Sequence, residues 1–347
     1  MGRLKDEPLF QLIHDFLKIY LPNQRCCSPN TIKSYRTVLN QLLEYISNEN
    51  HISFGSLTFE MLTTKAITGY LEWLVTEKSC CSRTRNHRLV CISSFFSYTA
   101  IINPENVILH NNISKIPRQK TEKFAGVEYM SEEAVRILLE QPVTSTQKGV
   151  RDQFFMILLY DTGARIQEML DIRICDMRLS KISSVQLHGK GSKIRSVPLM
   201  HETVSHFMNY KNIFHAGENE YSQTPLFYVE QHGVKHAMSD DNVRKFMKKY
   251  RTLAREICME VPENVHPHLW RHSRAMHLYQ HGMDLTLIAQ WLGHSSLETS
   301  LIYAHADTEQ KRKAIEKSMG REVIGGVNPP KYSITDEELL KRLCGLK

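Results

Sequence analysis

The sequence lacks any apolar run long enough to span a bilayer, and Lys5, Asp6 and Glu7 stand where a secretory leader needs its apolar core. Neither a membrane partner nor export is expected, and the chain reads as cytoplasmic. It has no C-x-x-C pair for zinc or thiol exchange. Its eight cysteines are two vicinal pairs, Cys26-Cys27 and Cys80-Cys81, and four isolated residues, which read as reduced packing groups. No internal repeat or low-complexity tract occurs. Also missing is a carboxylate cluster that would hold the paired Mg²⁺ of a nuclease or polymerase. Neutralising a phosphate would therefore fall to protein cations. What is present is 347 residues, 41% hydrophobic and 23% charged, enough for two globular domains at roughly 100 to 200 residues each. The net charge of +7 is spread over both parts, and it favours an acidic partner without naming one.

The first part, residues 1–118, reads as four helices. Leu9, Ile13, Phe16 and Leu17 mark a short one. Ser28-Pro29 starts a second, with a side-chain cap followed by a residue whose fixed φ suits the first turn, and its stripe is Ile32, Tyr35, Leu39, Leu42 and Ile46. Leu62 to Val75 is a third, and Ser82 opens a fourth that carries Ile92, Phe95, Phe96 and Tyr98. From Asn103 to Lys123 the pattern breaks into Asn, Pro and Lys and reads as a linker, with the boundary placed at 119–127. Residues 128–320 form the second domain. Ser131-Glu132-Glu133 caps a helix, Arg151 to Thr162 is another that ends before Gly163, and a further one starts at Arg165. Val185 and Leu187, then Ile194, Val197 and Leu199, alternate about Gly189-Lys190-Gly191-Ser192, the pattern of a β-hairpin with a glycine-rich turn. Beyond it the chain reads as helical, through Arg244 to Met259, His272 to Gln280, Leu285 to Leu292 and Thr308 to Met319. The class is mainly α with a small β-sheet.

Two motifs look chemical and are not. His201-Glu202 resembles the start of a zinc-protease helix, but His206 lies five residues on, about 140° around a helix instead of on the same face. Gly189-Lys190-Gly191-Ser192 looks like part of a phosphate loop, yet Ser184 and Gly191 occupy positions where such a loop needs Gly and a hydroxyl. Neither a metal nor a nucleotide cofactor is implied.

Four segments offer phosphate-seeking side chains at turns or helix ends: Thr162-Gly163-Ala164-Arg165, Gly189-Lys190-Gly191, His266-Pro267-His268-Leu269-Trp270-Arg271 and Leu292-Gly293-His294, with Tyr303 nine residues later. His268 and Arg271, three apart, share a helix face. Arginine binds two oxygens at once, and His or Lys can move protons. Without a metal-activated water the natural nucleophile is a side chain, and Tyr303 is the candidate.

Taken in order, and with Val197-Pro198-Leu199 after the Gly-Lys-Gly turn, these motifs resemble the tyrosine recombinases, the phage-integrase and Xer group. The likeness extends to the helical first part, similar to their core-binding domain, and spans nearly residues 8–318. It implies that Arg165 and Arg271 clamp the scissile phosphate, that His268 and His294 complete the cradle, that Lys190 protonates the leaving 5′ oxygen, and that Tyr303 forms a 3′-phosphotyrosine link. The partners implied are double-stranded DNA and further copies of the chain, a dimer per site and a tetramer in synapsis, with room for accessory factors. Integration, excision or transposition of a mobile element is the expected role; chromosome resolution of the Xer kind, or a catalytically silent DNA-binding relative, are the alternatives. The first helix begins by about Pro8, which implies a recombinase without an arm-binding domain.

Further DNA contacts are expected from Arg83, Arg85, His87 and Arg88, a basic opening to the fourth helix, and from Lys193 on the return strand. Trp270 and Arg274 depart from the family pattern; Trp270 fits core packing, while Arg274 would reach DNA or solvent. Glu168, three after Arg165, is a candidate partner for that arginine. In the tail, 321–347, Gly325-Gly326 and Pro329-Pro330 make a connector. Thr335 with Glu338 then caps a short helix bearing Leu339, Leu340 and Leu343, which is expected to dock on a neighbouring protomer.

Overall fold

The computed structural model describes residues 4–121, 127–189, 191, 193–294, 296–306, 312, 337–343 and 345–346. Lys190, most of the expected linker, the segment Thr308 to Met319 apart from Arg312, and the tail connector with Thr335 lie outside the described residues. The chain divides into two compact units, Met1–Lys123 and Phe124–Lys347.

In the first unit Asp6 caps α1 (Glu7–Asp15) by accepting the Leu9 N–H at 3.0 Å, and its other oxygen accepts the Phe59 N–H at 2.8 Å. One carboxylate thus starts a helix and pins a distant loop. The chain runs on through a wide turn, Phe16–Gln24, that accommodates Pro22. Ser28 then caps α2 (Pro29–Glu49), which buries Val38, Leu39, Leu42, Leu43 and Ile46. Helices α3 (Thr64–Thr76) and α4 (Ser82–Ile102) close the bundle around Phe16, Tyr70, Phe95 and Phe96. The stretch after Asn103 is not simply a linker. Val107–Ser114 forms a fifth helix, α5, because Ile113 is wholly buried in the bundle core. Arg85 shows why the chain beyond it also adheres: it donates to the Pro117 carbonyl at 2.7 Å, and the Asn86 amide bonds both ways with Gln119.

The second unit opens with α6 (Glu132–Glu140), capped by Ser131, and α7 (Gln147–Thr162), followed by the single-turn helix α8 (Ile166–Leu170). Strands β1 (Met177–Arg178), β2 (Ser184–His188) and β3 (Ile194–Pro198) form an antiparallel sheet in that order, with Leu187 opposite Arg195. Helix α9 (His201–Phe214) follows. A second hairpin, β4 (Tyr228–Gln231) and β5 (Val234–Ala237), stands in a stretch that the sequence pattern assigns to helix. Its turn is His232-Gly233, with both residues in the left-handed region that a two-residue hairpin requires. Then come α10 (Asp240–Ile257), α11 (Pro267–Gln280), α12 (Leu285–Leu292), α13 (Glu298–Ala306) and α14 (Glu337–Leu343). Phe154, Phe155, Tyr210, Phe227 and Trp270 fill the main core. A smaller core holds Ala275, Met276, Ile288, Leu292 and Tyr303. Burying each large apolar side chain contributes roughly 1.5 to 3 kcal/mol, and these two clusters fix α7, α11, α12 and α13 against one another. Those are the elements that carry the motifs.

Candidate active site

Two helix ends meet at the site. Helices α7 and α12 both stop at a glycine in the left-handed conformation, Gly163 (φ 58°) and Gly293 (φ 64°), a cap that other residues adopt only with strain. Their terminal carbonyls, left without helical partners, become acceptors for arginine. Arg271, only 3% exposed, donates Nη1 to the Gly163 carbonyl and Nη2 to the Leu292 carbonyl, each at 2.6 Å. Arg165 donates Nη2 to the next carbonyl, that of Gly293, at 3.3 Å. The two guanidinium groups are therefore held on consecutive peptide units. Burial, and then the charges of Arg165 and Arg195, push Arg271 down to about 10, which records cations crowded together out of water.

The anion among them is Glu168, 4% exposed. It accepts the Arg165 N–H and Nη1, both at 2.8 Å, and both Nη groups of Arg195 at 2.8 and 2.9 Å. Burial alone would raise this carboxyl, yet the hydrogen bonds from Arg195 and from Arg165 hold it at about 2. Two guanidinium groups thus share one carboxylate with a third, Arg271, nearby, and the excess of positive charge at a partly open spot suits an oxyanion. The Arg165 side chain, 41% exposed, is the one that faces out.

Three histidines line the same region. His268 is half-buried and lowered by burial, Arg271, His266 and Arg165. His294 is pushed down to about 4 by burial and by Arg271 and Arg165, with its Nδ1 2.7 Å from the Ser300 hydroxyl. His272, also at about 4 through burial and the charges of His268 and Arg271, puts Nδ1 3.1 Å from the Tyr303 hydroxyl. Tyr303, on α13, is fully buried in the smaller core, its ring stacked on His294 at 6.5 Å between centroids. Burial pushes its phenol up to about 12 against the pull of Arg271. In this conformation the Tyr303 side chain is covered.

The structure therefore brings Arg165, Arg271, His268, His294 and Tyr303 together, while Lys190 lies outside the described residues and Lys193 is exposed beside the hairpin tip. Two of the residues expected to touch DNA have partners within the protein. Arg85 is buried and spent on the Pro117 carbonyl. Arg274 is held inside by an ion pair with Asp161 at 3.1 Å and lies 5.1 Å over the Tyr160 ring, so it is not a surface cation. Arg83 and His87 are exposed, and Arg88 is half-buried near Tyr70. Trp270 is core, as expected. Sequence reading missed Arg195 and His272, and it missed the outer face of α10, where Arg244, Lys245, Lys248 and Lys249 are exposed and Arg244 lies close enough to lower His268. The alternation of α10, buried at Val243, Phe246, Met247 and Tyr250, carried the signal for that face.

Comparison with known proteins bears on the family. Residues 128–310 match the phage integrase family, and residues 15–102 match the phage integrase N-terminal SAM-like domain. The Sinorhizobium fredii protein y4rC, which carries a provisional integrase/recombinase name, is 30% identical over 90% of this chain and 92% of its own length. The tyrosine recombinase XerC of Chlamydia caviae is 29% identical over 86% of this chain and 96% of its own. Among solved structures, the XerH site-specific recombinase bound to its difH substrate in a pre-cleavage complex shares the fold, with a TM-score of 0.61, 22% identity and 90% of each chain covered. The chain belongs to the phage integrase family and is a tyrosine recombinase, an enzyme that breaks and rejoins DNA strands.

Proposed function

We propose that this recombinase is site-specific and cuts duplex DNA through a covalent 3′-phosphotyrosine link at Tyr303. The observation that carries the reading is the pair Arg165 and Arg271, bound to the consecutive carbonyls of Gly293 and Leu292 with a net positive charge between them. Phosphorus under attack gathers negative charge on its equatorial oxygens, and guanidinium groups already fixed by carbonyls stabilise that charge without reorganising. His268 and His294 extend the cradle. As the Tyr303 oxygen bonds to phosphorus, the bond to the 5′ oxygen breaks. The phenol gives its proton to the neutral His272 imidazole, whose Nδ1 stands 3.1 Å from the hydroxyl, and the departing oxygen takes one from Lys190. Because the phosphoester is kept in the tyrosyl link, resealing needs no external energy source. Each chain carries one such tyrosine, and exchanging two duplexes requires four strand cuts. A dimer on each site and a tetramer in synapsis follow, with accessory factors as further partners. The intact cluster disfavours a silent DNA-binding role.

Within the family, movement of a mobile element is the proposed role, supported by the integrase/recombinase relative; resolution of the Xer kind is the second reading, favoured by the XerC relative. The test is a nicked suicide duplex that traps the covalent adduct. Wild-type protein should form it and Tyr303→Phe should bind the duplex without forming it. An adduct in the phenylalanine variant removes Tyr303 from this role. Sequencing the DNA trapped on Tyr303 from the source genome separates the two biological roles.

A further inference from the structure

We propose that Arg195 is a positioning residue that balances the charge of Glu168 so that Arg165 keeps its own charge for the substrate. This rests on the reading above that Arg165 binds the scissile phosphate. Glu168 holds Arg165 by two hydrogen bonds, to the backbone N–H and to Nη1. Unopposed, a buried carboxylate in that position would claim the guanidinium as its ion-pair partner, and a phosphate would have to compete with it. Arg195 prevents this. Its fork occupies both Glu168 oxygens, and at 15% exposure it is better desolvated than Arg165, so it is the stronger partner. The remaining nitrogen, Nε, donates to the Trp291 carbonyl at 3.0 Å, one residue before the carbonyl that holds Arg271.

The placement also ties the site to the hairpin. Arg195 lies on β3, opposite Leu187 on β2, in the same hairpin whose tip carries Gly189 and Lys193. A Cβ at Gly189 would stand 3.5 Å from Glu168 Oε1, and one at Gly293 would stand 2.9 Å from Arg195 Nη1. Glycine at both positions lets the hairpin and the end of α12 close on the ion pair. No side chain with hydrocarbon in place of the guanidinium reproduces this arrangement. Arg165, anchored by Glu168 and by the Gly293 carbonyl, keeps its exposed face for an anion.

The experiment measures adduct formation on the nicked duplex alongside duplex affinity and melting temperature. It uses the parent protein, Arg195→Met, Arg195→Lys, Glu168→Gln and the Glu168→Gln/Arg195→Met double variant. Arg195→Met should slow cleavage by at least roughly ten-fold while affinity changes far less. The double variant should recover most of that loss, because the carboxylate that captures Arg165 is gone. Arg195→Lys, which keeps the charge but not the fork, should fall between Arg195→Met and the parent. A duplex with a neutral methylphosphonate at the cut site should narrow the gap between Arg195→Met and the parent, since it asks less of Arg165. Parental cleavage by Arg195→Met, a double variant no better than the worse single one, an unchanged gap on methylphosphonate, or failure of Arg195→Met to fold would each overturn the charge-balancing role. If the parent protein itself forms no adduct, the proposed function fails instead.

Discussion

Gly163 and Gly293 are where the motifs meet backbone geometry. Both have positive φ, and a Cβ at Gly163 would sit 2.8 Å from Leu292 Cδ2. An L-residue in the left-handed region costs about 1 to 2 kcal/mol before any clash is counted. Gly293→Ala should lower stability by about that amount and, because its methyl meets the Arg195 guanidinium, slow adduct formation more than it weakens binding. Gly282 supplies the control. Its φ is 89° and a methyl group there would meet nothing within 4 Å, so Gly282→Ala should lose stability and keep its cleavage rate relative to binding. Urea denaturation read beside adduct yield distinguishes the two, and equal cleavage by both variants would show that the Gly293 contact is not functional. The residues proposed to hold or attack a phosphate were legible because their types are chemically specific and sit at helix ends. Arg195 and His272 were not. Arg195 finds Glu168 across 27 residues and Trp291 across 96, and His272 finds Tyr303 across 31, and no local spacing encodes such contacts. Glu168 was legible as the Arg165 partner, since three residues along one helical turn suffice.

At the scale of elements, the basic opening of α4 divides into two kinds of arginine. Arg85→Ala removes a buried donor from the Pro117 carbonyl and should cost about 1 to 3 kcal/mol, leaving the salt dependence of DNA binding as it was. Arg83→Ala, on the exposed face, should leave melting unchanged and flatten the slope of log affinity against log salt by about 1 unit. The reverse assignment of effects would return Arg85 to the DNA surface. Helix α10 presents a larger version of the exposed kind: neutralising Lys245, Lys248 and Lys249 together should reduce the salt slope by roughly 2 to 3 units if all three lie against phosphates, and leave it fixed if they face solvent. Helices with a cap and a sustained stripe were plain in the sequence, α2 and α6 above all. α5 was hidden because its composition is Asn-rich and its fold depends on Ile113 finding the bundle core. The β4–β5 hairpin was hidden because its turn is His232-Gly233, and its flanking residues are mostly exposed and carry little alternation.

For the molecule as a whole, the buried histidines of the site are expected to move stability and DNA affinity in opposite directions as pH changes. His272 and His294 titrate at about 4 in the folded protein, against 6.5 for an unconstrained imidazole. Between those values the unfolded chain binds more protons than the folded one, so stability must fall as pH drops from about 6.5 toward 4. His268 and His277, shifted in the same direction, steepen the fall. Glu168, held at about 2, acts below 4.5, where its stabilising charge is lost as protons bind the unfolded carboxyl first. A DNA phosphate in the cradle reverses the balance at the histidines that face it. An anion beside His268 and His294 favours their imidazolium forms, so binding takes up protons and affinity rises as pH falls through the same window. Two measurements check this: the urea midpoint of the free protein should decline from pH 6.5 to pH 4.5, and calorimetry of duplex binding in buffers of different ionisation heat should show net proton uptake. Proton release on binding, or an affinity that falls in step with the stability of the free protein, would place the phosphate away from the two histidines.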